Sequence, residues 1–232
     1  GGIGDHLEAL SLLLPWAKEQ NCSLNLQMSA EREKQIKPLL RHWDGIHWQK
    51  KHEQGSASIS VMALRAAAVG STKSSKYQSW FPKKQTSQQS DQHLLCCWRA
   101  EGSGDRLSAH SRSVPWALVR NFYSRLLLLN PQAHIVDITN WKKWEVTQFK
   151  AMGIEVVEPH KESLVGLADR CRVSRVVTID TALVHLCAAV GQRADLLLNY
   201  FPDERWNELH RPEHNYGQLI KLWPSSQFGS WS

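Results

Sequence analysis

From Ser174 to Leu198 the chain reads SRVVTIDTALVHLCAAVGQRADLLL. Apolar Val176, Val177 and Ile179 close at Asp180, a helical run reaches Val190, and Gly191 precedes a second apolar run at Leu196–Leu198. This pattern predicts strand, helix and strand: one βαβ unit. Asp180 is a favourable N-cap residue, so the helix is expected to start at Thr181. Gly191 suits the left-handed position just past its end. Leu183, Leu186, Cys187 and Val190 recur at helical spacing and predict one buried face. Thr181 and His185, four apart, share another face.

The alternation extends upstream. His93–Trp98 reads as a strand, Arg99–Ser113 as a polar loop, Val114–Leu129 as a helix with Pro115 near its first turn, and Ala133–Ile138 as a strand. Trp141–Met152 is an amphipathic helix closed by Gly153, Ile154–Val157 a strand and Ser163–Cys171 a helix. Strands alternating with helices at short spacing predict an α/β, doubly wound parallel sheet. Before that, His6–Gln20 carries Leu7, Leu10, Leu14 and Ala17 on one helical face, with Pro15 expected to kink the helix or end it early. Ser23–Met28 and Gly45–Trp48 read as short strands and Ala30–Arg41 as a charged helix, while Ile59–Val69 fits either strand or helix. Gly70–Gln92, GSTKSSKYQSWFPKKQTSQQSDQ, is polar and nearly free of aliphatics, as a linker or mobile loop would be. The expected organisation is a reduced N-terminal domain over 1–70, a linker over 71–92 and a C-terminal domain over 93–232.

Composition adds little to the fold: 42% of the 232 residues are hydrophobic and 22% charged. No run of 18 apolar residues occurs, so no transmembrane helix is expected. The net charge of +6 favours anionic partners, whether nucleotide phosphates, nucleic acid or an anionic membrane surface. Cys22, Cys96, Cys97, Cys171 and Cys187 are odd in number, without a C-x-x-C, and most sit in apolar runs. They read as reduced core residues of a reducing compartment, and no His/Cys cluster has metal-ligand spacing. The chain opens on Gly rather than Met, and its Gly-rich turn lacks the strand that normally precedes one, which points to an N-terminal truncation.

The start of a helix at the carboxyl end of a strand is where open α/β sheets take ligands, and its N–H groups and dipole favour phosphate. The plainer alternative is that Asp180 merely caps a structural helix and His185 packs on the surface. The loop Arg99–Ser113 offers Ser103, Ser111, Ser113, Arg99, Arg106 and Arg112, chemistry suited to a diphosphate, or simply to solvent. A third segment, Pro202–Trp206, follows the strand Leu196–Tyr200. All three fall on one carboxyl edge of a parallel sheet. Lys73, Lys76, Lys83 and Lys84 with Tyr77, Trp80 and Phe81 offer a nucleic-acid alternative. No recognition motif surrounds them, so a solvated basic linker is preferred and no nucleic-acid partner is expected.

Four stretches resemble the heptosyltransferase-like glycosyltransferases of family nine and the related tetratricopeptide-linked sugar transferases. SRSVPWALVRNF (Ser111–Phe122) is similar to the family's R-S-hydrophobic-P segment, and VVTIDTALVHLCAAVG (Val176–Gly191) to its D-T-A-x-x-H-L-x-x-A-x-G core. LLLNYFPDERW (Leu196–Trp206) resembles its strand followed by P-D-W-R-W, and GGIGDHLEAL (Gly1–Leu10) its G-G-x-G-D-x-L-x-x-L opening. Glu204 stands where the family has an aromatic. The resemblance covers the second half and the first ten residues.

The resemblance implies a GT-B-like fold of two Rossmann-like domains with parallel sheets, the N-terminal one truncated. It implies a metal-independent, inverting transferase that needs no cofactor and takes a nucleoside-diphosphate sugar as co-substrate. The acceptor would be a glycan, a lipid-linked molecule or a protein, as in lipopolysaccharide core synthesis. A cytoplasmic location follows, with peripheral contact to an anionic membrane at its inner face. Carried over by motif, Asp5 is the candidate general base. Thr181 and Ala182 offer amides to the pyrophosphate, Asp180 fixes their turn, and His185 stands beside the phosphates. Arg99, Ser111, Arg112 and Ser113 lie on the opposite phosphate loop, and Asp203 and Arg205 on the P-D-x-R-W segment. On the turn alone Asp5 reads as an N-terminal helix cap, and the resemblance reverses that preference. A catalytically inactive nucleotide-sugar-binding module and a basic nucleic-acid-binding protein are the alternative functions.

Overall fold

A computed structural model describes residues 2–49, 80, 90–100, 112–158, 161–200, 202–206 and 216–225. The expected element at Ile59–Val69, the linker lysines, Ser103, Arg106 and Ser111 lie outside the described residues. The dominant feature is a six-stranded sheet built from β3 (Ser90–Cys97), β4 (His134–Asp137), β5 (Glu155–Val156), β6 (Ser174–Ile179), β7 (Ala194–Leu198) and β8 (Ile220–Pro224). Its order is β5-β4-β3-β6-β7-β8, and every pairing is parallel. The chain therefore winds outward from β3 to β5 on one side, then returns to place β6 on the other side of β3. The carboxyl ends of β3 and β6 flank that reversal.

Near-continuous apolar runs suit strands buried on both faces. Alternation along β3 divides the core: Leu95 and Cys97 face one apolar layer, while Leu94 and Cys96 face the other. The second layer is closed by α3 (Trp116–Leu129) and α4 (Lys143–Ala151) through Val119, Tyr123 and Phe149. The first is closed by α5 (Leu164–Val173) and α6 (Ala182–Ala189). Helices on both faces complete the doubly wound arrangement expected from the pattern. Gly153 and Gly191, at φ 81° and 73°, take the left-handed positions that end α4 and α6.

The front of the chain adds α1 (Ile3–Glu19), β1 (Leu24–Leu26), α2 (Ala30–Ile36) and β2 (Ile46–Trp48), with β1 and β2 paired in parallel. The helix expected over Ala30–Arg41 tightens to a 3-10 turn at Lys37–Leu40, where Pro38 supplies no N–H for an α-helical bond. Pro15 neither stops nor shortens α1. Leu10 and Leu14 before it and Ala17 beyond it are all buried, and that burial outweighs the single lost hydrogen bond. Gly2–Asp5 is not a turn ahead of the helix either. Gly2 is the N-cap, and Asp5 sits in the first turn, its Oδ2 accepting the Gly2 N–H at 2.7 Å.

α1 packs against α6, so Leu7, Leu10 and Leu14 share one core with Leu183, Val184 and Leu186. Helix α6 is buried all round as a result, not on one face alone. Trp80, inside the expected linker, is also in this core. It is 3% exposed, donates its indole N–H to Ser11 Oγ at 2.9 Å, and accepts the Trp43 indole N–H on its carbonyl at 2.7 Å. Strand β8 was not anticipated from the pattern. Among the described residues no helix is long and apolar enough to cross a membrane.

Candidate functional site

Two loops meet at the reversal in strand order. One leaves β3 at Trp98 and reaches α3 through Arg112 and Ser113; the other joins β6 to α6 through Asp180 and Thr181. Arg112 spans them: its Nη1 donates to the Asp180 carbonyl at 3.1 Å and to Asp180 Oδ2 at 3.3 Å. Ser113 Oγ accepts the Ala100 N–H at 3.2 Å and ties the two ends of the β3 loop together. Asp180 is buried, while Arg112, Ser113, Thr181 and Ala182 are half-buried.

The cap differs by one residue from the expectation. Thr181, not Asp180, is the N-cap of α6, its Oγ1 accepting the Leu183 N–H at 3.4 Å, and the helix begins at Ala182. Asp180 is drawn away from the capping role because its carboxylate is held by Arg112. Electrostatically this leaves a guanidinium beside the positive end of a helix, with one carboxylate between them.

A second cluster adjoins Asp180, whose Oδ1 lies 3.9 Å from His185 Nε2. Arg205 is 9% exposed and surrounded by acceptors. Nη1 donates to Glu8 Oε2 at 2.9 Å, Nη2 to Asp5 Oδ1 at 3.0 Å, and Nε to Asp203 Oδ1 at 3.2 Å. Burial works against the guanidinium charge, but Glu8, Asp180 and Asp203 outweigh it and hold Arg205 above its ordinary pKa. His185 Nε2 lies 3.2 Å from Arg205 Nη1. A guanidinium only donates, so Nε2 must accept. The imidazole is then neutral, with Nδ1–H donating to the Tyr216 hydroxyl at 2.6 Å. His185 is 1% exposed, under α1 and against Trp206 and Tyr216, not at the surface.

Gly4 explains how α1 comes so close. A Cβ placed there would stand 2.9 Å from His185 Cδ2 and 3.5 Å from the Cα of Ala182. The first turns of α1 and α6 are thus in contact, and the His185 ring, fixed by Tyr216 and Arg205, has no room to yield. Gly4→Ala is expected to destabilise the protein by about 1–3 kcal/mol, the usual cost of overpacking, as a lowered urea midpoint would show.

Arg99 turns toward α4. It forms a two-pronged pair with Glu145, Nη1 to Oε2 at 2.8 Å and Nη2 to Oε1 at 2.6 Å, and stacks over Trp141 at 4.1 Å. Its guanidinium therefore braces α4 and is not directed at the Asp180 turn. Burial alone would raise the Glu145 pKa, yet the Arg99 hydrogen bonds and the Lys142 N–H hold it below the ordinary 4.5. A depressed carboxyl pKa stabilises the fold above the unfolded value, and that stabilisation is lost as pH falls through the folded value. Stability should therefore drop below pH 4.5, and Glu145→Gln should flatten that acid limb in thermal melts across pH.

Motif reading missed several groups. Glu8 and Tyr216 complete the Arg205–His185 cluster. Asp137, at the carboxyl end of β4, accepts from Thr139 N–H, the Tyr123 hydroxyl and the Trp141 indole at 2.8, 2.8 and 2.9 Å. Burial pushes its carboxyl up, against those hydrogen bonds. Trp98, donating to Tyr123 Oη at 2.6 Å, links this cluster to the start of the β3 loop. A Trp or Tyr with its polar atom in the core needs such a partner, and that is the signal that could have found them. Among the described residues no group of three or more His, Cys, Asp or Glu could hold a metal ion.

No protein-family model matches the sequence, and no curated protein matches it. Solved structures do. One is E. coli heptosyltransferase WaaC with ADP-2-deoxy-2-fluoro heptose, at TM-score 0.50 and 14% identity, covering 96% of this chain and 90% of that one. Another is E. coli heptosyltransferase WaaC with ADP, at TM-score 0.51 and 15% identity, covering 97% and 91%. At such identities the likeness is one of fold. With a parallel sheet in each part and helices against both faces of the larger one, the chain has the GT-B-like α/β fold of the heptosyltransferases.

Proposed function

We propose that this chain is a glycosyltransferase that takes a sugar from a nucleoside-diphosphate donor and passes it to a hydroxyl acceptor. The observation that carries the reading is Arg112 bridging the loops after β3 and β6 at the reversal in strand order. Open α/β sheets bind ligands in that crevice. A guanidinium and the first amides of a helix, at Thr181 and Ala182, are a matched set for a diphosphate. The similar E. coli enzymes, captured with ADP and an ADP-fluoroheptose, support a nucleotide-sugar donor.

The reaction is an inverting displacement. The acceptor oxygen attacks the anomeric carbon and gives its proton to the Asp5 carboxylate. The bond from that carbon to the diphosphate oxygen breaks, and the diphosphate leaves with the electron pair. Arg112 and the α6 amides offset the charge gathering on the leaving group. Asp180 holds Arg112 in place, and Ser113 fixes the loop that carries it. The acceptor is a glycan, a lipid-linked molecule or a protein hydroxyl, taken from the α1 side.

ADP is the probe. Calorimetry should show saturable binding, and Arg112→Ala should weaken it roughly tenfold or more, since one charge-assisted contact is worth about 1.5–3 kcal/mol. Equal affinity in both proteins would refute the assignment. Steeply salt-dependent oligonucleotide binding without ADP affinity would favour a nucleic-acid role instead.

A further inference from the structure

Motif comparison groups Arg205 with the residues that contact the donor, but its surroundings fit another role. Every nitrogen of its guanidinium is engaged: Nε and Nη2 with Asp203, Nη1 with Glu8 and His185, Nη2 also with Asp5. The side chain is 9% exposed, against 27% for Arg112. Glu8, one helical turn from Asp5 on α1 and 3% exposed, anchors the fork from below. Asp203 belongs to the segment after β7, on the sheet side of the contact. An Arg fork saturated in this way has no donor left for a phosphate, yet it fixes the plane of every carboxylate it grips.

We propose that Arg205, anchored by Glu8, is a positioning residue that aims the Asp5 carboxylate and links it to the Asp203 segment. The inference rests on the function proposed above, in which Asp5 takes the acceptor proton. Asp5 Oδ2 is fixed by the Gly2 N–H and Oδ1 by Arg205, so each oxygen has its own partner. Movement of the Asp203 segment therefore moves the base. That couples the donor side to the acceptor side without either Arg205 or Glu8 touching substrate.

The test uses the whole chain, with ADP-heptose turnover read as ADP released and ADP affinity read by calorimetry. Arg205→Lys keeps the charge but loses the fork. It should lower kcat by about tenfold to a hundredfold, the cost of a misplaced reacting group, and leave ADP affinity nearly unchanged. Glu8→Gln should act in the same direction and more weakly. In an Asp5→Asn background, Arg205→Lys should cost nothing further in kcat, because its effect passes through Asp5. An equal loss in that background would mark Arg205 as merely structural, and a matching loss of ADP affinity would mark it as a donor contact; either overturns the proposal, as does an unchanged kcat. Should Arg205→Lys fail to fold in urea titration, Glu8→Gln carries the same comparison. Absent wild-type turnover, or turnover indifferent to Asp5→Asn, overturns the proposed function and this inference with it. Turnover that needs Asp5 but ignores Arg205 and Glu8 overturns this inference alone.

Discussion

Replacing Arg205 with leucine is expected to remove about 3–5 kcal/mol of stability, the cost of stranding one member of a buried ion pair. The loss comes less from the missing attraction than from what stays behind. Glu8 keeps a 3% exposed carboxylate among apolar side chains, and Asp5 and Asp203 lose the cation that gathers them. Urea unfolding at neutral pH reads the effect directly. The double variant Glu8→Met, Arg205→Leu should recover most of the loss, because removing both charges and filling the space with apolar atoms is often neutral. A single-variant loss well under 1 kcal/mol would place the cluster among surface ion pairs, which are worth that little. The consequence is architectural. The residues that bring α1 onto α6 are ionic at Asp5 and Glu8 and apolar along Leu7, Leu10 and Leu14.

Asp5→Asn is expected to lower sugar transfer by about 10²–10⁴-fold, the range for loss of a general base. ADP affinity should stay nearly constant, because the substituted atom does not contact the diphosphate in the proposed reaction. Asparagine preserves the shape of the side chain and can still accept from Arg205, so the fold should survive. Turnover and calorimetry on one preparation separate the two quantities. A fall in kcat at constant affinity identifies an interaction made only in the transition state. Unchanged turnover with intact ADP binding would point to a nucleotide-sugar-binding module whose Asp5 only caps α1.

Much of the larger sheet could be read from the chain because its information is local. An apolar run, a cap, a helical stripe and a glycine lie within twenty-five consecutive residues, and the βαβ unit at Ser174–Leu198 forms within one residue of the expected helix start. The carboxyl-edge position of Asp180 follows from the same pattern. What local pattern could not reveal is which residues meet across the chain. Glu8 and Arg205 are 197 positions apart, and no periodicity joins them. Burial of His185 depends on α1 lying over α6, so a histidine that spacing assigns to an open face ends beneath Gly4.

Arg99 and Arg112 pose the complementary problem. Both belong to one basic loop, and composition gives no means to say which turns where. The structure sends Arg99 to Glu145 on the β4 side and Arg112 to Asp180 on the β6 side. The aromatic base under Arg99 and the acid in the first turn of α4 decide the first; the buried Asp180 carboxylate decides the second. Edge strand β8 escaped notice because Ile220–Pro224 is short and ends in proline, a residue tolerated at a sheet edge but depleted in strands. The burial of Trp80 was not legible because a few aromatics in a long polar stretch do not say which of them packs into the core.

The central claim is that a diphosphate is held where the β3 and β6 loops meet. Titrating isotope-labelled protein with ADP, while following the backbone amides of Thr181 and Ala182 and the side chain of Arg112, tests it most directly. The account predicts saturating shifts at these three positions with one common affinity, abolished together in Arg112→Ala. Saturable ADP binding that leaves all three unmoved, with shifts clustered elsewhere on the chain, would contradict it.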